Sequence, residues 1–74
     1  NEKTIQLVNA NLPKQPWPIG VHKQMASLLN LPTAEVYAAI NELISRGLRY
    51  KQVDGVVYDK DGQIILRDEN RNQM

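Results

Sequence analysis

The sequence predicts an α+β fold, in which three helices precede a β-hairpin or three-stranded meander. Two observations carry this. Apolar residues recur at helical spacing as far as Leu48, then switch to short runs typical of strands. The punctuation changes at the same place. Prolines, Asn30 and Gly47 interrupt the first part, whereas Asp54-Gly55 and Asp59-Lys60-Asp61-Gly62 interrupt the second. Helices are expected at about residues 2–12, 21–29 and 33–46, with the strands inside about 49–66.

Ile5, Val8 and Leu12 share one face of the first helix, and Glu2 lies near its start, where a carboxylate suits the helix dipole. Pro13 ends it, because the residue before a proline avoids helical backbone. The stretch Lys14-Gln15-Pro16-Trp17-Pro18-Ile19-Gly20 reads as an extended connection. Its prolines exclude a central strand and leave room only for a short edge strand at Trp17 to Ile19. Trp17 is assigned to the core, since so small a domain needs the buried area.

The second helix, Val21 to Leu29, has Val21, Met25, Leu28 and Leu29 as its apolar residues. Pro32-Thr33 opens the third, with Thr33 as N-cap and Glu35 in the first turn. Val36, Ile40, Leu43 and Ile44 form its inward stripe. Gly47 is the left-handed residue that stops it, with Arg46 beside the negative end of the dipole. Arg49 to Val53 then reads as a strand, and Asp54-Gly55 as a two-residue hairpin turn. Val56-Val57-Tyr58 and Ile64-Ile65-Leu66 flank a type I turn closed by a left-handed Gly62. In that register Tyr58 faces Ile64 and Val57 faces Ile65.

The most specific pattern is the run Met25-Ala26, Leu29-Asn30-Leu31, Val36 and Ala39-Ile40. Ala26 is small enough for two helices to cross closely. Asn30 stands where the chain reverses, and asparagine enters the left-handed region more cheaply than most side chains. Leu31 plugs the corner. This is the spacing of a helix-turn-helix, and it buries Met25, Leu29, Leu31, Val36, Ile40 and Leu43 together.

At 74 residues and 8.4 kDa the chain is one domain at most. It has no cysteine, which removes disulfides and cysteine-based zinc sites. No apolar stretch approaches a membrane span and no signal-peptide pattern opens the chain, so a cytoplasmic or nuclear-type setting is expected, with the bacterial cytoplasm assumed. The start at Asn1, without a methionine, suggests a domain cut from a longer protein or a processed terminus. Residues 1–66 form the expected domain and 67–74 a polar tail or linker, expected to be disordered. Net charge is only +1, modest for a partner of a polyanion.

Enzymatic chemistry finds no support. His22 is the one histidine and has no second imidazole or thiol to build a zinc site with, so it is assigned to a helix surface. Asp59, Asp61 and Gly62 look like the start of a calcium loop, but the glycine comes too early and no glutamate closes it. No glycine-rich phosphate loop precedes a helix, and no serine has a base and an orienting group nearby. Neither cofactor nor metal is expected.

The element order, together with Val36-Tyr37-Ala38-Ala39-Ile40-Asn41-Glu42-Leu43-Ile44-Ser45-Arg46-Gly47-Leu48, resembles the winged helix-turn-helix domain of bacterial transcription regulators. That family commonly shows an apolar stripe ending in a charged residue, a glycine and an aliphatic residue. The chain departs from it in having Asn30 for the usual glycine and few basic residues in the third helix. The resemblance implies that the third helix enters the major groove while the hairpin, or wing, touches the flanking backbone. Thr33 and Ala34 would then hold a phosphate at the helix entrance. Tyr37, Ala38 and Asn41 would face the bases, Asn41 pairing with adenine and Ala38 packing on a thymine methyl. Glu35 would accept from a cytosine amine or merely favour the dipole. Arg46, Arg49, Lys51 and Lys60 would meet phosphates.

The expected function is sequence-specific binding of double-stranded DNA in transcription or replication control, with a second copy or another protein as further partner. The rival, favoured by the low net charge and by Glu35 and Glu42 on the third helix, is a protein-interaction module. In it Tyr37 and Tyr50 anchor the partner.

Overall fold

The computed structural model describes residues 1–67. Three helices, α1 (Glu2–Asn11), α2 (Val21–Leu29) and α3 (Thr33–Ser45), precede three strands, β1 (Lys51–Val53), β2 (Val56–Tyr58) and β3 (Ile64–Arg67). The strands form one antiparallel sheet in the order β1-β2-β3. The chain divides into two compact units, a helical one from Asn1–Leu12 and Gly20–Arg49, and a sheet unit from Pro13–Ile19 and Tyr50 onward. Arg67, expected to open the tail, belongs to β3. The rest of that expected tail lies outside the described residues.

In the helical unit, α1 starts at a cap the sequence reading overlooked. The Asn1 side-chain oxygen accepts the Thr4 N–H at 2.8 Å, satisfying one donor of the first turn. At the other end Leu12, expected as the last helical residue, is extended (φ −72°, ψ 135°), the conformation that Pro13 imposes. Thr33 is likewise not an N-cap. It is the first residue of α3, and Pro32 precedes it with no side-chain cap.

The exits of α2 and α3 use one device. After α2 the Leu31 N–H donates to the Ala26 carbonyl at 3.0 Å and the Asn30 N–H to Ser27 at 3.4 Å. After α3 the Leu48 N–H donates to Leu43 at 2.9 Å and the Gly47 N–H to Ile44 at 3.0 Å. Both are Schellman motifs, which need one left-handed residue. Gly47 supplies it at φ 78°, and Asn30 at φ 55° and ψ 48°.

Helix α3 packs on both α1 and α2. The core is Val8, Leu12, Val21, Met25, Ala26, Val36, Ala39, Ile40 and Leu43. Leu29, Leu31 and Ile44, expected inside, are half-buried. Leu28 is exposed; it lies on the flank beyond the Val21-Met25-Ala26 face.

In the sheet unit, Asp54 and Gly55 both have positive φ, 51° and 81°, the type I′ turn that matches the twist of a two-residue hairpin. Val53 pairs with Val56 across it, and Lys51 with Tyr58. Between β2 and β3 the Gly62 N–H closes on the Asp59 carbonyl at 3.1 Å, and the Asp59 N–H on Gln63 at 2.8 Å. Tyr58 faces Ile64 as expected, but Val57 faces Leu66, not Ile65. A β-bulge inserts the extra residue there and bends the strand away from simple alternation. β1 begins at Lys51 rather than Arg49.

Trp17 to Ile19 forms no strand. Its prolines lack the amides a ladder requires, and two glutamine side chains take over. The Gln52 carboxamide accepts the Trp17 N–H at 2.8 Å and donates to the Trp17 carbonyl at 2.8 Å. The Gln15 carboxamide does the same with Tyr50, at 2.9 and 2.8 Å. Trp17 is buried, and its indole N–H donates to the Pro13 carbonyl at 2.9 Å.

Candidate nucleic-acid interface

The helical period turns Val36, Ala39, Ile40 and Leu43 inward, so Thr33, Ala34, Glu35, Tyr37, Ala38 and Asn41 are all exposed. They do not form one uniform face. Asn41 projects from the middle of the exposed side, and its carboxamide makes no hydrogen bond among the described residues. Tyr37 lies toward α2, where its ring stacks on His22 with centroids 4.0 Å apart and planes 11° from parallel. Partial burial pushes the His22 imidazole below its ordinary pKa, because desolvation disfavours the cation. His22 therefore presents a flat ring whose uncharged form is favoured.

The α1 side of α3 has the opposite character. A shallow groove of about 420 Å³ is lined there by Glu2, Glu35, Ala38, Glu42 and Arg46, among others. Three carboxylates and one guanidinium line it, and this net negative charge disfavours phosphate beside Glu35 and Ala38. Tyr37 and Asn41, on the other side, meet no such barrier from their own side chains.

Two of the four cations expected to touch phosphate have internal partners. Arg46 holds Glu2 through two parallel hydrogen bonds of 2.6 and 2.9 Å and Glu42 through a third of 3.1 Å. The Arg46 guanidinium, with help from the Gln6 side chain, holds the Glu2 carboxyl down to about 2. Glu2 and then Glu42 push Arg46 upward in return. Arg49 is spent on packing. Its guanidinium donates to the Asn9 side chain at 2.9 Å, the Asn9 carbonyl at 3.0 Å and the Leu12 carbonyl at 3.4 Å. Those carbonyls belong to the last turn of α1, which has no basic residue of its own. A guanidinium supplies the missing donors.

Lys51 and Lys60 are exposed and come together. They line one shallow groove of about 450 Å³ in the sheet unit with Val53, Tyr58, Asp59 and Gly62. Asp59 is turned to its own backbone, its Oδ1 accepting the N–H groups of Asp61 and Gln63, each at 2.9 Å. It is a turn residue. Among the described residues no three histidine, aspartate or glutamate side chains gather to hold a metal.

His22, expected on a helix surface, lies on α2 and is partly exposed. It stands at the second position of α2, opposite the exposed flank of α3, and only the crossing of the helices brings the rings together. No helix among the described residues is long and apolar enough to cross a membrane. No family model, characterised protein or solved structure matches this sequence.

Proposed function

We propose that the chain is a winged helix-turn-helix domain that binds double-stranded DNA with sequence preference, in transcription or replication control in the cytoplasm. The observation that carries this reading is the exposed neutral surface of α3 formed by Tyr37 and Asn41, on a helix set against α2 by the left-handed turn at Asn30. Asn41 offers one donor and one acceptor to an adenine edge, and Ala38 a methyl-sized contact. The α3 start, with no side-chain cap, leaves amides at Thr33 and Ala34 for a phosphate. In the wing, β1 to β3, Lys51 and Lys60 supply the cations. Arg46 and Arg49 are structural in this reading, and Glu35 serves the helix dipole. Selection from random duplex DNA, followed by titration of the enriched sequence, tests the proposal. Enrichment of one motif supports it, and failure to retain any duplex at low salt rejects it.

A second reading, a protein-interaction module, draws on one observation. Ile64, Ile65 and Leu66 in β3 are each nearly half exposed, and a strand with apolar residues on both faces invites a partner. A chain that ignores duplex DNA but is captured by another protein through β3 or Tyr37 would favour this reading.

A further inference from the structure

We infer that His22 is a positioning residue for base reading, acting through Tyr37; this rests on the duplex-binding proposal above. The two rings are nearly parallel, with centroids 4.0 Å apart, so His22 covers one face of Tyr37. Tyr37 still keeps 48% of its surface exposed, which leaves part of the side chain for a base. An exposed tyrosine on a helix otherwise samples more than one side-chain rotamer. His22 is held in turn by its own helix, anchored by buried Val21 and Met25 on either side of it in sequence. The stack therefore passes the rigidity of the α2 core to a side chain on the reading face of α3.

The chemistry of the pair separates positioning from attraction. Burial disfavours the imidazolium form of His22, and Tyr37 carries no basic group. Neither contributes to the charge that draws any polyanion. Loss of His22 should thus change which base is preferred and leave the affinity for random duplex alone. The contact serves one base position, because one ring edge spans about one base step.

The test is a double-mutant cycle on the enriched duplex, read base position by base position. Tyr37→Ala identifies the position that Tyr37 reads. His22→Ala should lose discrimination there by about fivefold or more, with binding to random duplex unchanged. In the Tyr37→Ala background it should cause no further loss. His22→Phe, which keeps a flat ring, should restore the preference, and a thermal melt of each variant checks the fold. Equal losses from His22→Ala in both backgrounds, or no loss in either, would overturn the inference while leaving duplex binding intact. A folded wild-type chain with no preferred duplex would overturn the duplex-binding proposal and this inference with it.

Discussion

Gln52 and Trp17 exchange two hydrogen bonds through a single side chain: the carboxamide accepts the Trp17 N–H and donates to the Trp17 carbonyl, each at 2.8 Å. One residue of β1 thereby acts as strand partner to a segment that prolines bar from the ladder. Gln52→Ala removes both bonds at a half-buried site and should cost about 1–3 kcal/mol. Urea denaturation measures the loss, and hydrogen exchange at the Trp17 amide should accelerate with it. An unchanged midpoint would show that the clamp contributes nothing.

Asn30 occupies the left-handed region at φ 55°. Asn30→Gly is expected to be neutral or to stabilise slightly. Asn30→Val brings a β-branched side chain into that conformation and should cost about 1–2 kcal/mol or more. Paired denaturation curves decide. Equal stability of the two variants would mean that the turn does not hold its shape in solution.

The core predicts a ranking. Leu43 and Ile40 are fully buried, so Leu43→Ala or Ile40→Ala should each cost about 2–5 kcal/mol. Leu31 is half-buried, and Leu31→Ala should cost distinctly less. Ala26→Leu should destabilise by about 1–3 kcal/mol through overpacking at the α2–α3 contact. Thermal melts of the four variants would reverse this order if Leu31 closed the corner as its sequence position suggests.

The Glu2–Arg46 pair makes stability depend on acid. Glu2 is depressed from 4.5 to about 2, with Arg46 the largest cause. A carboxyl whose folded pKa lies below its unfolded value contributes stability that is complete above the unfolded value. That contribution falls away as pH drops from about 4.5 towards 2. The pair is exposed to solvent, so the effect is small and weakens with salt. Glu2→Gln should flatten this part of the stability profile relative to wild type. Parallel profiles across that window would remove the pair as a stabilising element.

The cations divide by role. Lys51→Ala and Lys60→Ala should each weaken binding to any duplex and shallow its salt dependence by roughly one counterion. Arg46→Ala should leave the salt slope unchanged, because its charge is already matched by Glu2 and Glu42. Titrations at several salt concentrations give the slopes. A shallower slope for Arg46→Ala would return that residue to the phosphate contacts.

Much of the architecture follows from neighbours in sequence. The helical stripe of α3, the stop at Gly47, the left-handed Asn30 and the turns at Asp54-Gly55 and Gly62 each depend on groups within a few residues. Such local signals survive in the chain order. The sequence also determined which α3 side chains face outward, since the helical period alone sets that. Only the tertiary structure decided what those side chains meet. Arg46 reaches Glu2 and Arg49 reaches Asn9 across 44 and 40 residues, and both arginines thereby leave the set of available cations. Gln52 finds Trp17 across 35 residues, and His22 meets Tyr37 only because α2 crosses α3. A bulge that trades Ile65 for Leu66 is likewise invisible to alternation. Long polar side chains carry several donors or acceptors and suit many partners equally well. Their partner is chosen by the packing of the apolar core, which sets the distances, and so by the fold as a whole.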